Sequence, residues 1–236
     1  MPAVNMTEGS IPRHLINYSL PLIAGNLFQL TYNAVDSIVI GKFAGENALA
    51  AVSAANPVMT IMILGVSGVS IGASVLMSRF YGAGDDAGMR RTYGLMTVGT
   101  QAASLLFMLA ALLFPDGIVR LFSSDEQAIA LGASYLRIIA VSYPFLALTR
   151  GGGTLLQSTG RVMIPFVGSL ISVAVNIVLN ALLIFGLCGF PALGVQGAAI
   201  ASLTSSIVGA LVIYGAGIAK KTLLRTGPSG LAGITG

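Results

Sequence analysis

Leu49-Ala-Ala-Val-Ser-Ala-Ala-Asn-Pro-Val-Met-Thr-Ile-Met-Ile-Leu-Gly-Val-Ser-Gly-Val-Ser-Ile-Gly-Ala-Ser-Val-Leu-Met77 runs for 29 residues without one charged side chain. As a helix rising about 1.5 Å per residue, it exceeds the roughly 30 Å of hydrocarbon in a bilayer. Similar runs lie on both sides of it, at 15–40, 93–114, 128–148, 163–187 and 198–218. Six transmembrane helices are expected, and the fold class is an all-α polytopic membrane helix bundle. Composition agrees: the 236 residues are 55% hydrophobic and 8% charged, against about 25% charged in a typical soluble domain. A water-facing surface cannot be built from so few charges, so lipid is the main solvent.

The spans divide the chain into an amino-terminal segment at 1–14, a six-helix lobe at 15–219 and a low-complexity tail at 220–236. The first run is too long for a secretory signal and lacks a small-residue cleavage site, so it reads as a mature helix. Gly41 and Gly45, Gly82-Ala-Gly-Asp85, Pro115-Asp-Gly117, Gly151-Gly-Gly153 and Gly189-Phe-Pro191 punctuate the runs as loops. Pro21, Pro57, Pro144 and Pro165 fall inside or at the edges of spans and are expected to bend them. Orientation follows from the basic residues. Arg13, Arg79, Arg90, Arg91, Arg150, Arg161, Lys220, Lys221 and Arg225 fall on one side, and Lys42, Arg120 and a snorkelling Arg137 on the other. The richer side is cytoplasmic, which places both termini there. Basic residues in short clusters between apolar runs, without interleaved aromatics, argue against a nucleic-acid partner. The single cysteine, Cys188, allows no internal disulfide and reads as a small apolar residue at a helix end.

An intramembrane carboxylate costs roughly 2.5–3.5 kcal/mol on insertion scales, so it faces protein or water and carries a task. Asp36 is the only one in these spans. Asn26, Gln29, Asn33 and Asp36 recur at helical spacing and share one stripe, read as the wall of a polar cavity. Interhelical hydrogen bonding is the plainer alternative for Asn26 and Gln29. Ser169, Ser172, Asn176 and Asn180 repeat the pattern on the fifth span. Ser202, Ser205, Ser206 and Gly209 form a small-polar face on the sixth, where close packing is the plainer reading. Amides converging with an acid make an oxygen-rich site suited to a hard cation, with Asp36, Asn176 and Asn180 as the candidate Na⁺ ligands. A proton, Na⁺ or an organic cation can each neutralise a buried carboxylate, and that competition is the basis of antiport.

Enzyme motifs lack partners. Gly68-Val-Ser-Ile-Gly72 matches the nucleophile-elbow pattern, but the only histidine, His14, precedes the first span while Ser70 lies inside the second. Gly68 and Gly72 read instead as a small-residue face for helix packing. Gly151–Gly153 lack the Lys-Ser/Thr of a phosphate-binding loop. No enzymatic activity and no resident cofactor is expected.

Tyr32-Asn-Ala-Val-Asp-Ser-Ile-Val-Ile-Gly41, Leu155-Leu-Gln-Ser-Thr-Gly160, Asn176-Ile-Val-Leu-Asn-Ala-Leu-Leu-Ile-Phe-Gly186 and Gly194-Val-Gln-Gly-Ala-Ala-Ile-Ala-Ser202 resemble, in this order, segments of the multidrug and toxic compound extrusion (MATE) family. The resemblance covers roughly residues 10 to 220. It implies Na⁺- or H⁺-coupled export of cationic or amphipathic compounds by a twelve-helix, two-lobed transporter of the inner membrane. It also implies a site where Asp36 works with Asn176, Asn180 and Ser202, and Gln29, Tyr32 and Asn33 are further candidate cation or substrate contacts. Asn180 stands where that subgroup commonly has Asp, so this site has one carboxylate instead of two. Six spans correspond to the amino-terminal lobe, which needs a second lobe from a carboxy-terminal half or a second copy. A truncated product is expected ahead of a dimerising half-transporter. The rival functions are a lipid-linked oligosaccharide flippase, which needs several basic side chains, and a non-transporting remnant or scaffold.

Overall fold

The structure, a computed structural model, describes residues 19–28, 40–189 and 191–219, with single positions 16, 30 and 37. Helix α1 covers Ser19–Phe28, and a π-helical turn at Ile40–Ala44 leads into α2, Glu46–Gly82. Then follow α3 (Asp86–Leu113), a short α4 (Pro115–Arg120), α5 (Glu126–Ala140), α6 (Tyr143–Ser158), α7 (Met163–Phe185) and α8 (Val195–Ala219). Among the described residues there is no strand. Among the described residues the helices α2, α3, α7 and α8 are long and apolar enough to cross a membrane, and α5 with α6, bent by 46° at their junction, makes a fifth if the pair is one span. Of the expected first span, 15–40, only α1 and single positions are described. The segments 1–14 and 220–236 lie outside the described residues.

Several boundaries move outward from their expected places. The second span begins at Glu46 and ends at Gly82, and the third begins at Asp86, so Arg79, Arg90 and Arg91 are helical residues and not loop residues. Hydropathy marks only the hydrocarbon-facing part of a helix, while the hydrogen-bonded ladder continues beyond it. Side-chain caps then set the true starts. Asp85 accepts the Gly88 N–H at 2.9 Å to open α3, and Asp125 accepts the Ala128 N–H at 2.9 Å to open α5. Pro115 occupies the first turn of α4, where a loop was expected, because its missing N–H has no intrahelical role there. Gly186, at φ 67°, ends α7 in the left-handed conformation that favours glycine.

The fourth span departs most from expectation. It does not stop at residue 148. It breaks after Ala140 and resumes as α6, with Pro144 in the first turn, and runs on to Ser158. Gly151-Gly-Gly153 is therefore not a loop but a buried helical face. A Cβ on Gly152 would stand 2.8 Å from Ile213 Cγ2 and 3.3 Å from the Tyr214 ring, so Gly152 lets α6 approach α8, while Gly151 faces Met96 of α3 and Gly153 faces Pro165 of α7. Gly68 and Gly72 show the converse: nothing lies within 4 Å of a Cβ built on either, so the expected packing face is open among the described residues.

Two apolar clusters hold the bundle. Met62, Val66, Leu136, Ala140 and Tyr143 belong to the larger, and Met77, Met89, Tyr93, Met96 and Leu155 to the smaller. Near the smaller cluster the Tyr93 and Tyr214 hydroxyls meet at 3.0 Å, tying α3 to α8. Outward, Leu64 and Ile71 of α2 and Leu106 and Leu113 of α3 are exposed, as befits surfaces solvated by acyl chains. Arg120 pairs with Glu126 at 2.8 Å and Arg137 with Asp116 at 3.4 Å. Arg137 thus reaches the same end of the bundle as Arg120, as its snorkelling reading requires.

Candidate binding cavity

Helices α7 and α8 pack more extensively on each other than any other pair, and their contact is polar. Gly209 allows part of this closeness, since a Cβ there would stand 3.3 Å from Ser172 Oγ. Asn180 Nδ2 donates to Asn176 Oδ1 at 2.7 Å, and Asn176 Nδ2 reaches Ser205 Oγ at 3.2 Å and Ser202 Oγ at 3.3 Å. Ser172 Oγ donates to the Ser205 carbonyl at 2.7 Å. Asn176 and Asn180 are 3% and 6% exposed. An amide buried in an apolar bundle is costly unless hydrogen-bonded; the hydroxyls of α8 meet that need for Asn176, and Asn176 accepts from Asn180. Of the expected site residues the structure thus brings together Asn176, Asn180 and Ser202. The other four, Gln29, Tyr32, Asn33 and Asp36, lie outside the described residues.

One turn before Asn176 the same α7 face opens onto a cleft of about 280 Å³. Asn26 of α1, Arg150, Thr154 and Gln157 of α6, Ser169 and Ser172 of α7 and Ser206 of α8 line it. Ser172 belongs to both cleft and network, so polar groups continue from the cleft into the helix contact. Asn26, Ser169 and Ser172 were singled out by stripe periodicity.

Arg150 was not. Charge counting placed it in a cytoplasmic loop, whereas it sits eight residues before the end of α6, about 12 Å along the helix. The missed signal is the continuing helical period of Leu146, Thr149, Arg150, Gly153, Thr154 and Gln157, all of which line the cleft. Ser205, which bonds Asn176, had been read as packing. Ser70 is buried with its hydroxyl donating to the Val66 carbonyl at 2.8 Å, an ordinary helix bond that leaves no exposed nucleophile.

Long apolar helices that enclose a hydroxyl and amide network beside a polar cleft define the class as a helical membrane protein. Comparison with known proteins narrows the class. The MatE family model matches residues 21–182, and the chain belongs to that family. It is 31% identical over 207 residues to the probable multidrug resistance protein YoeA of Bacillus subtilis, covering 88% of this chain and 45% of that one. It is 30% identical over 203 residues to the multidrug export protein MepA of Staphylococcus aureus, covering 85% of this chain and 44% of that one. A solved structure described as the outward-facing conformation of a multidrug resistance MATE family transporter of the MOP superfamily superposes with a TM-score of 0.80 at 25% identity. That match covers 90% of this chain and 46% of the solved one. The chain spans somewhat under half the length of these relatives. It is a multi-pass membrane protein of a transporter family.

Proposed function

We propose that this chain forms the amino-terminal six-helix lobe of a secondary antiporter, coupling Na⁺ or H⁺ entry to export of cationic or amphipathic compounds. The observation that carries the reading is the buried chain Asn180–Asn176–Ser202/Ser205 in helices solvated by lipid, because an apolar contact would hold α7 to α8 without so many polar atoms. Asp36 supplies the charge of the site, with Gln29, Tyr32 and Asn33 beside it on the first helix. Asp36, Asn176 and Asn180 bind the coupling ion, and Ser202 completes the shell. When a cation neutralises the site the lobe changes its access; cargo and coupling ion of like charge then compete. The lobe works with a second six-helix lobe, of the kind the other half of the relatives supplies, in the plasma membrane with both termini cytoplasmic.

The relatives carry export and resistance names, which supports transport over a non-transporting scaffold. A flippase for pyrophosphate-linked sugars would need several cations, and among the described cleft residues Arg150 is the one cation. The test is ethidium efflux from vesicles carrying the complete transporter, with and without a Na⁺ or pH gradient. Gradient-dependent efflux that Asp36→Asn abolishes is expected. Undiminished efflux by Asp36→Asn would remove the basis of the proposal.

A further inference from the structure

The geometry points to an oxyanion subsite at Arg150: the cleft between α1, α6, α7 and α8 receives a carboxylate or phosphate group of an amphipathic ligand. Three observations meet there. Arg150 lines the cleft as an exposed residue, and its guanidinium has no hydrogen-bond or ion-pair partner among the described residues. No Asp or Glu is among the described residues lining it. The hydroxyl protons nearby are already committed to backbone carbonyls: Thr149 to Phe145, Thr154 to Arg150, Ser169 to Phe166 and Ser206 to Ser202.

Among the described residues lining the cleft the guanidinium is the one charged donor, and the amides of Asn26 and Gln157 also line it. Guanidinium matches a carboxylate or phosphate through two parallel N–H···O bonds. An organic cation placed in this cleft would face a fixed positive charge. Leu22, Pro165 and Phe166 add an apolar wall, so the bound group belongs to a molecule with an apolar part. At about 280 Å³ the cleft is just below the roughly 300–1,000 Å³ of whole-ligand sites, which suits one head of a larger molecule. The inference goes beyond the export reading and does not rest on it.

Two sources share this chemistry, the head group of an anionic lipid and a free organic acid. The full chain is reconstituted in nanodiscs of phosphatidylcholine, and equilibrium dialysis measures binding of 1-naphthoate against its uncharged methyl ester. In a second arm the nanodiscs contain phosphatidylglycerol and phosphatidylcholine, and the lipid retained on the chain after detergent exchange is counted by mass spectrometry. Arg150→Gln is expected to weaken naphthoate binding or phosphatidylglycerol retention at least tenfold, and the arm that responds names the source. Arg150→Lys, which keeps the charge without the fork, retains part of the binding and covers the case in which Arg150→Gln does not fold. Arg79→Gln, at the end of α2, is expected to bind as the unaltered chain does.

Equal loss in Arg79→Gln and Arg150→Gln would show nonspecific surface attraction and overturn the proposal. So would unchanged binding by Arg150→Gln, equal binding of ester and acid, or no binding by the unaltered chain. These readings are made at equilibrium without an ion gradient, so their failure and the failure of coupled export are separate results.

Discussion

Gly197 sits where α8 crosses α7, and a Cβ built on it would lie 2.7 Å from the Leu183 carbonyl oxygen, 2.9 Å from its carbon and 3.0 Å from its Cβ. Backbone atoms cannot swing aside, and that same carbonyl accepts the Leu193 N–H at 2.8 Å, so the turn into α8 holds it in place. Restoring an ordinary contact of 3.4 Å requires α8 to move away by about 0.7 Å. The Asn176 bonds to Ser202 and Ser205, already at 3.3 and 3.2 Å, would then pass beyond hydrogen-bonding length. Gly72→Ala is the matched control, since it makes the same change in a helix with nothing within 4 Å. Gly72→Ala, in mid-helix, gains about 1 kcal/mol of helix propensity and Gly197→Ala, in the first turn of α8, gains less, so a difference beyond about 1 kcal/mol reports the clash. Overpacking of this kind costs about 1–3 kcal/mol. The assay is unfolding in mixed detergent and sodium dodecyl sulfate micelles followed by circular dichroism. Gly197→Ala is expected to unfold at clearly lower denaturant than Gly72→Ala, and coincident curves would refute the claim that α7 and α8 touch backbone to backbone here.

The Tyr93 and Tyr214 hydroxyls share one bond at 3.0 Å, so Tyr214→Phe is expected to cost about 0.5–1.5 kcal/mol in the same assay. Adding Tyr93→Phe should then cost little more, because the interaction is already gone. Glu126→Gln removes the Arg120 pair, but both side chains are more than half exposed. Its effect is expected to stay below about 1 kcal/mol and to vanish at high salt, read by the same unfolding curves at two ionic strengths.

The long spans were legible because hydrophobic length is a local property. The apolar parts of α2, α3, α7 and α8 could be placed from their runs, with the charged ends of α2 and α3 lost to a measure that sees only hydrocarbon. The α7 polar face was legible for the same reason: Ser169, Ser172, Asn176 and Asn180 recur at helical spacing, and no neighbour was needed to see it. Glycine was not legible, because its meaning depends on what surrounds it. Gly151-Gly-Gly153 looked like a break and is buried in helix contacts; Gly68 and Gly72 looked like a contact surface and meet nothing among the described residues. Arg150 was misplaced by the same error, since a loop assigned at the glycines carried the arginine with it. Asp36, on which the ion-site reading leans, lies outside the described residues.

The interruption between α5 and α6 carries a further consequence. A proline at 144 leaves the carbonyl of Ala140 without its usual N–H partner, and hydrocarbon offers no substitute for it. Ser142 Oγ donates to the Ile139 carbonyl at 2.6 Å, and Ala140, Ser142 and Tyr143 are all 0% exposed. The elbow thus turns three residues into the protein, while Val141 between them is 38% exposed. A roll of this span that carried Ala140 out of the protein would strand its oxygen in oil, so the break acts as a keel that favours the orientation in which Arg150 lines the cleft.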